Sequence, residues 1–105
     1  MPSLPPDFVS TFVIQDSHPA TEGHFVGNPL VPGVVILDYV RQTLAQMDES
    51  LVMQRFSRVK FTRPLTPGNN LAVRISVRDA GSYRFACTDA ANSSIASGEF
   101  SAVSG

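Results

Sequence analysis

The chain has 105 residues, 43% of them hydrophobic and 16% charged, with a formal net charge of -1. That length allows one domain with one modest core, and the near-zero charge excludes a general pull toward nucleic acid or a membrane surface. A single cysteine, Cys87, excludes an internal disulfide and fits a reducing, cytoplasmic compartment. The apolar share of so short a chain points to self-association, which would bury what a small fold leaves bare.

In chain order, residues 1–6 carry three prolines and read as a loose lead-in to a single domain over 1–105. "MPSLPPDFVS" has neither a basic start nor a long apolar segment, so no signal peptide or membrane anchor is expected. "FVSTFVIQ" (8–15) is apolar and β-branched and predicts a strand, and "DSHPATEGHFVGNP" (16–29) predicts a loop. "VPGVVILDYVRQTLAQMDES" (31–50) predicts a helix, with Pro32 tolerated near its start and Val40, Leu44 and Met47 at helical spacing. Its first turns are apolar all round and should be wrapped on several sides. Four strands follow, in "MQRFSRVKFTRPL", "NNLAVRISVRD", "SYRFACTD" and "SIASGEFSAV", with turns at 66–70, 80–82 and 90–93. One helix plus a run of antiparallel strands predicts an α+β fold, its sheet curled over the helix. Cys87 is in phase with Tyr83 and Phe85 and reads as core.

The chemistry concentrates in "EGHFVGNPLVPGVVILDYVRQ". His24 sits in a loop crowded with Gly and Pro, and Asp38 follows fourteen residues later, closing the apolar run "VVIL". An unpaired charge is costly to bury, so either Asp38 marks the rim of a core helix or a site is built around it. His24 is the natural base near neutral pH. A carboxyl group enclosed by apolar neighbours keeps its proton above the usual range and can serve as an acid; Asp38 fits that description. The helix start offers free N–H groups and a positive dipole end, and Gly33 there allows close approach to the backbone. Together these residues could abstract a proton beside a carbonyl and expel a hydroxyl group. Taken singly, each has a bland reading: a loop histidine is usually solvated, and Gly27, Pro29 and Pro32 are turn residues. His18 has no supporting pattern. The two histidines are not at helical ligand spacing and there is no cysteine cluster, so no metal is expected.

"GHFVGNPLVPGVVILD" resembles the signature of the 3-hydroxyacyl-acyl-carrier-protein dehydratases of fatty acid synthesis. Gly23, His24, Phe25, Gly27, Pro29, Pro32, Gly33 and Asp38 fall in place, and Gln42 matches a glutamine one turn after the acid. "VKFTRPLTPGNNL" (59–71) is similar to the family's later strand and turn, and the resemblance covers roughly residues 8 to 103. Val26 departs from it, standing where the family usually has proline, and the family's extra N-terminal segment has no counterpart before the strand at 8–15.

The resemblance implies a hot-dog fold, an antiparallel sheet wrapped around one central helix. It implies a cofactor-free dehydratase acting on 3-hydroxyacyl chains of acyl carrier protein. His24, Asp38 and Gly33 would be catalytic. Phe25, Pro32, Val34, Gln42 and Phe61 would contact substrate, with Gln42 orienting Asp38 from one helical turn away. Val34 stands where the isomerising branch of the family tends to have cysteine, which favours dehydration alone. The family forms dimers, or oligomers of dimers, whose sheets join edge to edge and in which the loop histidine of one chain faces the helix carboxylate of the other. All eight basic residues fall between Arg41 and Arg84. Arg55, Arg58, Lys60 and Arg63 crowd one strand, where they would either steer an acidic carrier or simply solvate a strand edge. Two other readings stand beside this one. A thioesterase of the same fold would not need the His24 spacing, and a non-catalytic subunit that binds carrier protein or a paralogue would have no need of His24 and Asp38.

Overall fold

β3 (Asn70–Asp79), β4 (Ser82–Thr88) and β5 (Ser94–Ser104) alternate buried and solvent-facing side chains along much of their length. This is the pattern of a sheet with one packed face. Leu71, Val73 and Ile75 line up with Tyr83, Phe85 and Cys87, then with Ala96, Phe100 and Ala102, and all are 8% exposed or less. The computed structural model describes residues 7–13, 33–65 and 70–104. Within them β1 (Phe8–Val13) and β2 (Leu51–Phe61) complete a five-stranded antiparallel sheet in the order β1-β3-β4-β5-β2.

The helix α1 (Gly33–Met47) lies on the packed face of this sheet. Its stripe is Ile36, Val40, Thr43 and Leu44, all buried. Burying an aliphatic side chain of this kind contributes about 1.5–3 kcal/mol. Thr43 can sit there because its hydroxyl donates to the Tyr39 carbonyl at 2.8 Å, so no polar atom is orphaned. Phe12 of β1 packs on Tyr39 with ring centroids 4.5 Å apart, and the Ser10 hydroxyl donates to Gln46 at 2.7 Å. The predicted architecture, one helix against an antiparallel sheet in the order strand, helix, four strands, is the one observed.

Several boundaries differ from the sequence pattern. The helix ends at Met47 and not at 50, because Asp48 folds back on the chain. Its carboxylate accepts from the Ser50 hydroxyl at 2.6 Å and the Ser50 N–H at 3.0 Å, while its carbonyl accepts from Leu51. These bonds, the hydroxyl first, hold the Asp48 carboxyl below its usual range. β2 therefore starts at Leu51 and ends at Phe61, not 53–65. Past its end, the N–H groups of Thr62 and Arg63 both donate to the Ile95 carbonyl, just before Pro64 removes the next donor. Residues 14–15, 31–32 and the turn at 66–69 lie outside the described residues.

β2 also does not alternate simply. It pairs with β5 through two register shifts, at Met53/Arg55 and Ser57/Lys60. Each inserts one extra residue, so Met53, Phe56 and Val59 turn inward at intervals of three. Arg58 takes φ 53° at the second shift. Gly98 lies opposite, where a Cβ would stand 2.8 Å from the Phe85 ring and 3.0 Å from the Val59 backbone. The bulge thus requires glycine on β5.

Candidate active site

The exposed flank of α1 and the neighbouring part of β2 enclose an apolar groove of about 390 Å³, lined by Val34, Leu37, Asp38, Arg41, Gln42 and Phe56. Asp38 follows the buried Ile36 by two positions, which turns it off the packed stripe and toward solvent. Gln42, one turn on, donates from Nε2 to Asp38 Oδ2 at 2.9 Å. This fixes one carboxylate oxygen at the edge of the groove.

Gly33 begins the helix, so its N–H belongs to the set without partners inside the helix. No acidic residue stands in the first turn to offset the positive dipole end. Gly33 lines a second groove, of about 370 Å³, with Ile36, Phe61, Arg63 and Leu65. The space where a side chain on Gly33 would stand is occupied: the tip of the Phe61 ring is 2.7 Å from the position of its Cβ. Within one chain, then, the structure brings Val34, Asp38 and Gln42 together and places Gly33 with Phe61 in a separate groove. His24, Phe25 and Pro32 lie outside the described residues, as does His18.

Sequence reasoning expected apolar neighbours to enclose Asp38 and the start of the helix. In the single chain Asp38 is exposed and Val34 is 73% exposed. The described residues wrap one side of the helix, and the flank carrying Asp38 is bare. Two contributors to this flank were missed. Arg41, three residues after Asp38, brings a cation into its groove; helical spacing alone could have flagged it. Phe56 reaches the same groove only because of the first bulge, which no sequence periodicity reveals.

The basic strip divides. Arg63 belongs to the Gly33 groove. Arg58 and Lys60 line a separate groove with Arg84 and Glu99, where Arg78 binds the Glu99 carboxylate at 2.7 Å. Arg55, Arg58, Lys60 and Arg63 are all exposed. Cys87 is fully buried, and burial pushes its thiol up to about 12, so it is no nucleophile. Among the described residues no group of three or more His, Cys, Asp and Glu is placed to hold a metal ion, and no helix is long and apolar enough to cross a membrane.

The amino-acid sequence matches a known family. The ApeI-like family, described as ApeI dehydratase, matches residues 5–99. The chain belongs to this family. Curated relatives of this ApeI-like chain carry the name 3-hydroxyacyl-acyl-carrier-protein dehydratase FabZ. The one from Polynucleobacter necessarius is 32% identical over 90 residues, covering 76% of this chain and 60% of the relative. The one from Bartonella quintana is 33% identical over 82 residues, covering 68% and 53%. The chain spans about half the length of the curated relatives it matches.

Solved structures share the hot-dog fold. The dehydratase heterocomplex ApeI:P from Xenorhabdus doucetiae contains a chain with TM-score 0.79 and 22% identity, covering 91% of this chain and 86% of that one. The R-hydratase PhaJ1 from Pseudomonas aeruginosa follows at TM-score 0.76 and 16% identity, covering 97% and 81%. A point mutant of the fluoroacetyl-CoA-specific thioesterase FlK follows at 0.75 and 14%, covering 99% and 90%. At these identities the likeness is one of fold, and the fold hosts more than one chemistry.

Proposed function

We propose that this chain dehydrates a 3-hydroxyacyl thioester on acyl carrier protein to the trans-2-enoyl thioester. The observation that carries the reading is the Asp38–Gln42 hydrogen bond of 2.9 Å beside an apolar groove, in a member of a dehydratase family that also has His24 at the signature spacing. In this reading His24 takes the proton from the carbon next to the thioester carbonyl. The electron pair moves onto the carbonyl oxygen, where the free N–H at Gly33 stabilises the enolate; such a donor is worth ~3 kcal/mol. Collapse of the enolate forms the C2–C3 double bond and breaks the C3–O bond. The departing hydroxyl takes a proton from Asp38 and leaves as water. One proton then passes from His24 to Asp38 through solvent and resets the site. The balance closes without a redox partner, so no cofactor is invoked.

The separation of Gly33 from Asp38 within one chain supports a site shared between two chains, with His24 and Gly33 from one facing Asp38 and Gln42 from its partner. A second copy over the bare flank of α1 would also supply the cover that Val34 lacks. Arg55, Arg58, Lys60 and Arg63 are proposed to draw in an acidic carrier.

The test is spectrophotometric hydration of short trans-2-enoyl thioesters by the purified protein. Hydration without added metal or nucleotide, and insensitive to a chelator, is expected. Release of free thiol in its place would move the assignment to a thioesterase, a chemistry found on the same fold. A second reading is favoured by the Xenorhabdus heterocomplex: the bare flank could be covered by a different dehydratase-like chain. Activity of this chain as a purified homodimer rejects that reading.

A further inference from the structure

Phe61 is the last residue of β2 and one of the few large apolar side chains left half exposed, at 51%. Its ring points end-on at Gly33. The ring tip stands 2.7 Å, and the two flanking carbons 3.1 Å, from where a Cβ on Gly33 would be. The missing side chain at the helix start is therefore space for the phenyl ring. That ring stands as a wall in the groove formed with Ile36, Arg63 and Leu65. Half of its surface is open, and the atoms nearest Gly33 are the free end of the side chain.

We infer that Phe61 sets the length of acyl chain the site accepts, and that Gly33 seats this wall. The inference rests on the dehydratase reading, which makes the Gly33 groove a place where substrate arrives. A smaller residue at 61 would lengthen the groove by the volume of a ring, an apolar space that further methylenes of the acyl chain can fill. Each methylene so buried raises kcat/KM about fourfold. Gly33→Ala acts through the same ring. Its new methyl group would take the ring's place and push the phenyl group into the groove, shortening it. Because the displaced atoms are the free end of an exposed side chain, the ring gives way and the helix does not.

The experiment compares kcat/KM for hydration of enoyl thioesters with four to ten carbons across the wild type, Phe61→Ala, Phe61→Leu, Gly33→Ala and Gly33→Ala/Phe61→Ala, with a thermal melt of each. Phe61→Ala should shift the preference toward longer chains by about fourfold per added methylene, and Phe61→Leu should do so less. Gly33→Ala should shift it toward shorter chains. The double variant should have the profile of Phe61→Ala, because the methyl group has nothing left to displace. An unchanged length profile in both Phe61 variants, with wild type active, overturns the inference. So does a double variant as defective as Gly33→Ala alone, since the methyl group would then obstruct substrate directly. A wild-type protein that hydrates none of the thioesters instead removes the underlying dehydratase reading. If Gly33→Ala melts early, binding of a saturated thioester series to Phe61→Ala and Phe61→Leu, read by calorimetry, decides the length claim in its place.

Discussion

Along the middle of the sheet Val73, Phe85, Cys87 and Ala96 are 0% exposed, while across the helix Val34 is 73% exposed and Asp38, Arg41 and Gln42 face solvent. The first region is closed by the chain itself. Phe85 meets Phe56 edge-on at 5.7 Å, and Phe100 stacks on Tyr83 at 5.1 Å, arrangements suited to aromatic quadrupoles. The second region sets the apolar Val34 and Leu37 beside the Asp38 carboxylate, to which Gln42 donates a hydrogen bond. Stability and, in the proposed reading, chemistry lie on opposite flanks of one helix. Ile36, Val40 and Leu44 serve the first, and Val34, Asp38 and Gln42 the second.

The widest separation should come from one substitution on each side. Phe85→Ala empties the closed region and should cost about 3–5 kcal/mol, a large part of the ~5–15 kcal/mol typical of a domain, read as a lower urea midpoint. Asp38→Asn keeps shape on an exposed face and should change stability by no more than ~0.5 kcal/mol, leaving the midpoint close to that of wild type. Its hydration activity should nevertheless fall at least ~100-fold, the usual worth of a positioned acid. If Asp38→Asn stays active, the carboxylate is not the acid.

A second experiment asks whether the bare flank is completed by another copy. His24→Ala and Asp38→Ala homodimers should each be nearly inactive. Unfolded together in equal amounts and refolded, they should form mixed dimers as about half of the population, each with one site doubly substituted and one intact. Activity should return to roughly a quarter of wild type. If mass spectrometry finds mixed dimers and activity stays absent, His24 and Asp38 do not meet across an interface.

The two regions also differed in how much the sequence disclosed. β3, β4 and β5 alternate along much of their length, so the core positions of Val73, Phe85 and Cys87 could be read from period. Asp38 and Gln42 were legible too, because one helical turn separates them and the observed bond needs only that. β2 was harder. Its two bulges carry Phe56 inward and set Arg58 and Lys60 in one groove with Arg84, a residue of another strand. No strict period of two contains this. The ring over Gly33 was hidden for a similar reason. A glycine at a helix start reads the same whether a substrate or a phenylalanine fills the space, and only tertiary packing distinguishes them.

A smaller effect is expected from the charges. If the exposed cations at 55, 58, 60 and 63 attract an acidic carrier, turnover of carrier-bound substrate should fall with added salt more steeply than turnover of a small thioester analogue. The division of these residues between two grooves sharpens the measurement. Arg63→Gln, in the Gly33 groove, and Lys60→Gln, beside Arg84, should reduce the salt slope unequally if the carrier uses one groove more than the other. Equal slopes for carrier-bound and small substrates in wild type would remove the steering claim.

The smallest effect measures how dry the closed region is. Burial raises the Cys87 thiol from 9.0 to about 12, so the folded chain keeps this proton at pH values where the unfolded chain has released it. The sign follows from linkage: the thiol's contribution is intact below about pH 9 and is lost as pH rises toward 12. Other groups titrate in the same range, so the useful quantity is a difference between two proteins. Cys87→Ala removes the thiol at a packing cost that does not depend on pH. The stability advantage of wild type over Cys87→Ala should therefore shrink by about 1 kcal/mol between pH 8 and 10, measured by urea denaturation at each pH. In parallel, a water-soluble thiol reagent should leave native protein unmodified and label it only on unfolding. A difference that stays flat with pH, or rapid labelling of the native chain, would mean that solvent reaches the sheet's packed face. In that case the contrast between a sealed flank and an open one would fail at the position where the sequence made it plainest.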